Sequence, residues 1–167
     1  MNQSFALAPM SPLIRGLTLA LGSLPLILGL WALISRQPVD IFTCLLLIAL
    51  YAAVWWGCRP SRFVLVSQHL AIVFPGWQRR IPRADIASVR IITAAAFRQE
   101  FGLALRICVG GLWGGFGWLW TSRRGLVEFY ISQLDTFVLI ERSQGRTLLL
   151  TPEHPQQFVA AMQAHHP

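Results

Sequence analysis

The side chains that could carry chemistry in this 167-residue chain are few, and they stand apart. Six carboxylates, Asp85, Glu100, Glu128, Asp135, Glu141 and Glu153, occur singly over the last two thirds of the sequence. General acid–base work needs paired carboxylates or a positioned histidine, and covalent catalysis needs a nucleophile, a base and an orienting group. No G-x-S-x-G or H-E-x-x-H run supplies such a set locally. The histidines His69, His154, His165 and His166 lack metal-ligand spacing to a cysteine or carboxylate, and the last two read as a tail. Cys44, Cys58 and Cys108 are odd in number, widely separated and without a C-x-x-C pair, so they read as small buried hydrophobes. The expectation is a non-enzymatic protein with no catalytic residue, metal or cofactor.

Aromatic and basic residues are the better candidates, for contact. Residues 110–117 read GGLWGGFG, which fits neither G-x-G-x-x-G nor a phosphate loop ending in G-K-[ST]. Two readings are open. The glycines permit bends and close backbone approach in a curved sheet. Alternatively Trp113, Phe116, Trp118 and Trp120, running into Arg123 and Arg124, form a membrane-interface surface, with indole rings at headgroup level and guanidinium groups on lipid phosphate. Arg79, Arg80 and Arg83 beside Trp77 are the densest basic cluster. Each is worth about 1 kcal/mol at an anionic leaflet, but a solvated loop with ordinary charges reads equally well.

The net charge is +7 and every basic residue is arginine. From Arg59 onward 12 arginines face 6 acidic residues, so the surplus lies on the C-terminal part. Nucleic acid or an anionic membrane could answer it. A domain tethered to a bilayer meets headgroups constantly, so the membrane is the expected partner and nucleic acid is not. A protein partner or a second copy of the chain remains open.

The tether is read from two apolar runs, residues 17–34 and 41–58, each close to the roughly 20 residues a membrane helix needs. They predict helices over about 14–35 and 39–58, joined by a tight polar turn into a hairpin over residues 1–60. The first run is longer than a signal-peptide core and has no A-x-A site before Arg36. No ionisable residue lies at mid-depth, as a transport pathway would need, so the hairpin reads as an anchor. Arg15, Arg59 and Arg62 flank its open end, whereas Arg36 is offset by Asp40, which puts both termini in the cytoplasm. Trp55 and Trp56 then fall at the cytoplasmic interface.

Residues 61–167 change texture to short β-rich segments broken by turns. Strands are expected over 62–67, 70–74, 77–81, 88–93, 105–109, 126–132, 136–142 and 146–150, the last two as a hairpin. Leu70, Ile72 and Phe74 share one face by their period of two, and Pro75-Gly76 closes that strand. Residues 83–86 suit a turn or a single helical turn, and 94–104 suit either a helix or a loop. Thr151 as cap, Pro152 at the first helical position and Glu153 in the first turn predict a closing helix over about 152–164, with Phe158, Val159 and Met162 on its inner face.

Taken together, the segment GLWGGFG, the hairpin FVLIERSQGRTLLL, the run TPEHPQQFVAAM and the upstream IPRADIASV resemble the bacterial pleckstrin-homology-like (PH-like) domains over roughly residues 62–164. The resemblance implies an α+β fold: two packed, bent antiparallel sheets of about seven strands, plugged by a C-terminal helix and paired with membrane helices. It also implies a bacterial inner-membrane protein whose PH-like domain binds or scaffolds, with an accessory subunit of a larger membrane complex as the alternative. The first hairpin turn, Ser67-Gln68-His69, has none of the basic residues of phosphoinositide-binding PH domains. An inositol-phosphate pocket there is not expected.

Overall fold

The computed structural model describes residues 3–164 and, except at 108 and 109, their side chains. The expected burial of Cys108 and the tail reading of His165 and His166 lie outside the described residues.

The chain begins not with a helix but with a strand, β1 (Gln3–Ala6). It pairs antiparallel with β2 (Arg62–Leu65), Phe5 opposite Phe63. Everything between, α1 (Pro12–Gly22), α2 (Leu24–Ser35) and α3 (Pro38–Gly57), is therefore a helical excursion joining two neighbouring strands. Sequence analysis sets the boundary at residue 60, whereas the structure also ties residues 3–8 into the β domain. Short strands gain most of their stability from partners, so four residues without a patterned neighbour carry little sequence signal.

The expected first helix is two. Ser23 separates α1 from α2 because Pro25 has no N–H to donate to the Leu21 carbonyl four residues back. The Tyr51 hydroxyl of α3 donates to that carbonyl instead, at 2.8 Å. Pro12–Ser35 and Pro38–Gly57 are both long and apolar enough to cross a membrane. Unlike the core helices of a globular domain, they bury few side chains: only Ile14, Ala32, Cys44 and Val54 are covered.

The four-stranded sheet runs β1-β2-β3-β4, with β3 (His69–Val73) and β4 (Gln78–Pro82) joined through Pro75-Gly76. Leu70, Ile72 and Phe74 point into the core as their alternation requires. A single 3₁₀ turn, Arg83–Asp85, leads to β5 (Ile86–Thr93). Residues 94–101 resolve to a helix, α4 (Ala94–Phe101): the Thr93 hydroxyl caps the Ala96 N–H, and Gly102 ends it at φ +75°. Then follow β6 (Ala104–Gly110), β7 (Gly115–Thr121), β8 (Gly125–Ile131), β9 (Thr136–Arg142) and β10 (Leu148–Leu150). The six-stranded sheet is ordered β5-β9-β10-β8-β7-β6.

Among the described residues ten strands therefore replace the expected seven or so; β1 and β7, the latter starting in the glycine-rich stretch, account for most of the excess. The sheet is not wholly antiparallel either, because β10 inserts between its hairpin partner β9 and β8 and runs parallel to β8. One face of this sheet packs on the four-stranded sheet and on α5 (Pro155–Gln163), through Val138, Ile140, Leu148, Leu150 and Phe158. The other face packs on α4 through Phe97 and Phe101. The closing helix starts later than the sequence predicts. Thr151 is buried, its hydroxyl accepts the Ser132 N–H at 2.9 Å, and its carbonyl accepts from Ala8. It is thus committed to the β domain, and His154 stands at the helix start instead. Phe158, Val159 and Met162 do form the buried face.

Candidate functional site

The tip of the β6–β7 hairpin is where the β domain meets the helices. Gly111 has φ +98°, and a Cβ there would come within 3.1 Å of Leu21 Cδ1 in α1, so only glycine lets the loop lie against the helix. Trp113 adopts the left-handed region at φ 59°, a conformation held here by its surroundings. Its N–H donates to Thr18 Oγ1 at 2.9 Å, and that hydroxyl lies 2.9 Å from the Gly111 carbonyl. The indole packs edge-on against Trp55 at 4.7 Å and Tyr51 at 6.4 Å, and the Arg59 guanidinium stands 4.3 Å over the Trp55 ring. The glycines serve close approach, whereas Trp113 does not stand outward as an interface residue but turns inward onto the final turns of α3.

Beyond this joint, the face of β6 and β7 that continues from the inter-sheet core is uncovered. Leu105 lies opposite Trp120 and Ile107 opposite Trp118. These side chains are 64%, 48%, 51% and 46% exposed respectively. A contiguous apolar strip of this kind on a folded domain marks a contact surface. It arises because four strands cannot cover six. Leu105 and Ile107 are the members that sequence reasoning missed. Their period of two was legible, but with Arg106 between them nothing indicated which face a partner sheet would cover.

The basic candidates do not gather at one point. Arg79 crosses from β4 to Glu128 on β8, an ion pair that the Tyr130 hydroxyl joins at 2.6 Å. Burial opposes the Arg79 charge, but the Glu128 carboxylate overcomes this and raises its pKa. Burial, helped by the same carboxylate, raises that of Tyr130. Trp77 stacks flat on Phe74 at 4.1 Å and remains half exposed next to this bridge. Arg80, one residue on, points to solvent, and Arg83 turns to α5, 3.4 Å from the Ala161 carbonyl. Phe116 is core. Arg124 pairs with Glu100 and Glu141, both at 2.7 Å, and Arg123 donates to the Gln99 carbonyl. The guanidinium actually beside the strip is Arg146, 5.7 Å over Trp118.

The two-sheet fold with its closing helix and the sequence motifs agree, and residues 61–166 match the family described as Bacterial PH domain. The chain belongs to the bacterial PH domain family. No curated protein and no solved structure matches it. Of the structure's own features, β1 and the three helices fall outside the residues that match the bacterial PH domain, whereas the joint, the strip and all the arginine candidates fall within them.

Proposed function

We propose that this bacterial PH domain protein is a non-enzymatic, membrane-anchored binding module whose PH domain rests on the cytoplasmic leaflet. The observation that carries this reading is the joint. It fixes the β6–β7 tip to α1 and to the last turns of α3, and the exposed Ile107–Trp118 and Leu105–Trp120 pairs lead away from that tip. With Pro12–Ser35 and Pro38–Gly57 in a bilayer, a strip at headgroup depth fits this reading, because indole rings partition there and Arg59 and Arg146 would meet phosphate. Both ends of the hairpin run into one sheet, which keeps the flanks on the same side, and Arg15, Arg59 and Arg62 favour the cytoplasm. Four carboxylates of the domain, Asp85, Glu100, Glu128 and Glu141, are taken up in internal ion pairs with arginine.

The test uses the full chain in vesicles containing phosphatidylglycerol and lipids brominated near the headgroup. The parent should show shallow quenching of tryptophan emission, and Trp118→Ser with Trp120→Ser should reduce it clearly, leaving the share of Trp55 and Trp56. Equal quenching in both contradicts the reading. The alternative, an accessory subunit, draws on β6 as the free edge of the six-stranded sheet, open to strand addition. In that case a stoichiometric partner co-purifies in mild detergent and shields the strip from quenching.

A further inference from the structure

On the opposite face of the six-stranded sheet from the strip, a cavity of about 660 Å³ opens between α4 and strands β6 to β10. Its walls are apolar: Phe97 from α4, Leu119 from β7, Phe129 and Ile131 from β8, and Phe137 from β9. The alternation of β7 separates the two surfaces, with Trp118 and Trp120 to the strip and Leu119 to the cavity. The volume falls within the roughly 300–1,000 Å³ of small-molecule sites.

The mouth is basic. Arg98, Arg106 and Arg123 line it, and no aspartate or glutamate does so among the described residues. Elsewhere in the domain Arg79, Arg90, Arg124 and Arg142 each have a carboxylate partner, whereas Arg80, Arg83 and Arg146, which have none, are not among the residues that line this cavity. Among the described residues, no ion pair involves Arg98 or Arg106, and the Arg123 guanidinium donates to the Gln99 carbonyl. Three guanidinium groups without a counter-charge around an apolar hole are complementary to a molecule with a greasy body and an anionic head, which guanidinium can bind in a bidentate fashion.

We propose that the cavity takes the hydrocarbon chain of a single-chain anionic amphiphile, whose carboxylate or phosphate head is bound by Arg98, Arg106 and Arg123. The site does not depend on the helices crossing a bilayer.

The experiment places the full-length protein in nanodiscs with a long-chain fatty acid carrying a mid-chain diazirine, followed by photolysis and peptide mapping. Peptides containing Phe97, Leu119 or Phe129 should be labelled. The methyl ester of the probe should label them at least tenfold less, as should the acid on an Arg98→Glu, Arg106→Glu variant. Leu119→Trp, which fills the cavity, should also abolish labelling. Excess lysophosphatidic acid should displace the probe, and inorganic phosphate at equal concentration should not. Labelling of α2 and α3 peptides in the same sample reports bilayer contact separately, and neither the ester nor the charge reversal should change it. Unlabelled cavity peptides, equal labelling by the ester, or displacement by phosphate alone each overturn the proposal.

Discussion

Asp85 gathers hydrogen bonds from three successive residues at the β9–β10 turn. Arg142 donates to it, the Gln144 N–H does so at 2.6 Å and the Ser143 hydroxyl at 3.3 Å, joining the 3₁₀ turn to the β9–β10 turn. The Arg142 hydrogen bonds hold its carboxyl below the usual aspartate value, against the opposing effect of burial. A carboxyl depressed in the folded state stabilises the fold fully above the ordinary pKa, roughly 3.9, and loses that contribution as pH falls below it. Acid titration followed by near-UV circular dichroism should therefore show Asp85→Asn less stable than the parent at pH 6 and the two converging toward pH 2. A constant gap across that range contradicts the linkage.

At the scale of elements, the break between α1 and α2 is a packing device. Pro25 withholds a donor from the Leu21 carbonyl, and Tyr51 supplies one from α3, while the Cys44 thiol lies 3.5 Å from the Pro25 carbonyl. In an apolar surrounding the freed carbonyl has no water to turn to, which ties the break to the pairing of α2 with α3. Tyr51→Phe should destabilise the hairpin by about 1 kcal/mol, the scale of a hydrogen bond between membrane helices, measured by unfolding in dodecyl sulfate. Unchanged stability means that the carbonyl is satisfied by other means.

At the scale of the whole molecule, the helical hairpin is an insertion between two adjacent antiparallel strands, because Ala6 faces Arg62 across residues 12–57. The β domain holds both ends by itself. Ala8 N–H donates to the Thr151 carbonyl at 2.8 Å, and the Ser132 hydroxyl donates to the Ala8 carbonyl at 2.5 Å. Replacing residues 12–58 with a short glycine–serine linker should leave a cooperatively melting β domain by circular dichroism. A chain without a cooperative melt shows that the joint is required for folding.

How much of this was legible differs by the physics involved. Long apolar runs, the alternation of Leu70, Ile72 and Phe74, and the helical spacing of Phe158, Val159 and Met162 are local patterns, each set by a period along the chain, and the sequence alone determined them. Its motifs determined the family as well. The tertiary structure decided whatever depends on residues far apart in the chain. Gln3–Ala6 is a strand only because Arg62–Leu65 lies beside it, and Thr151 cannot cap a helix because Ser132 claims its hydroxyl. Arg79, Arg80 and Arg83 look like one patch in sequence, but a strand sends neighbouring side chains to opposite faces, and they part. Where ten strands leave Trp118 and Trp120 uncovered on one face and three arginines around a cavity on the other follows from how the sheets overlap, which no local period encodes.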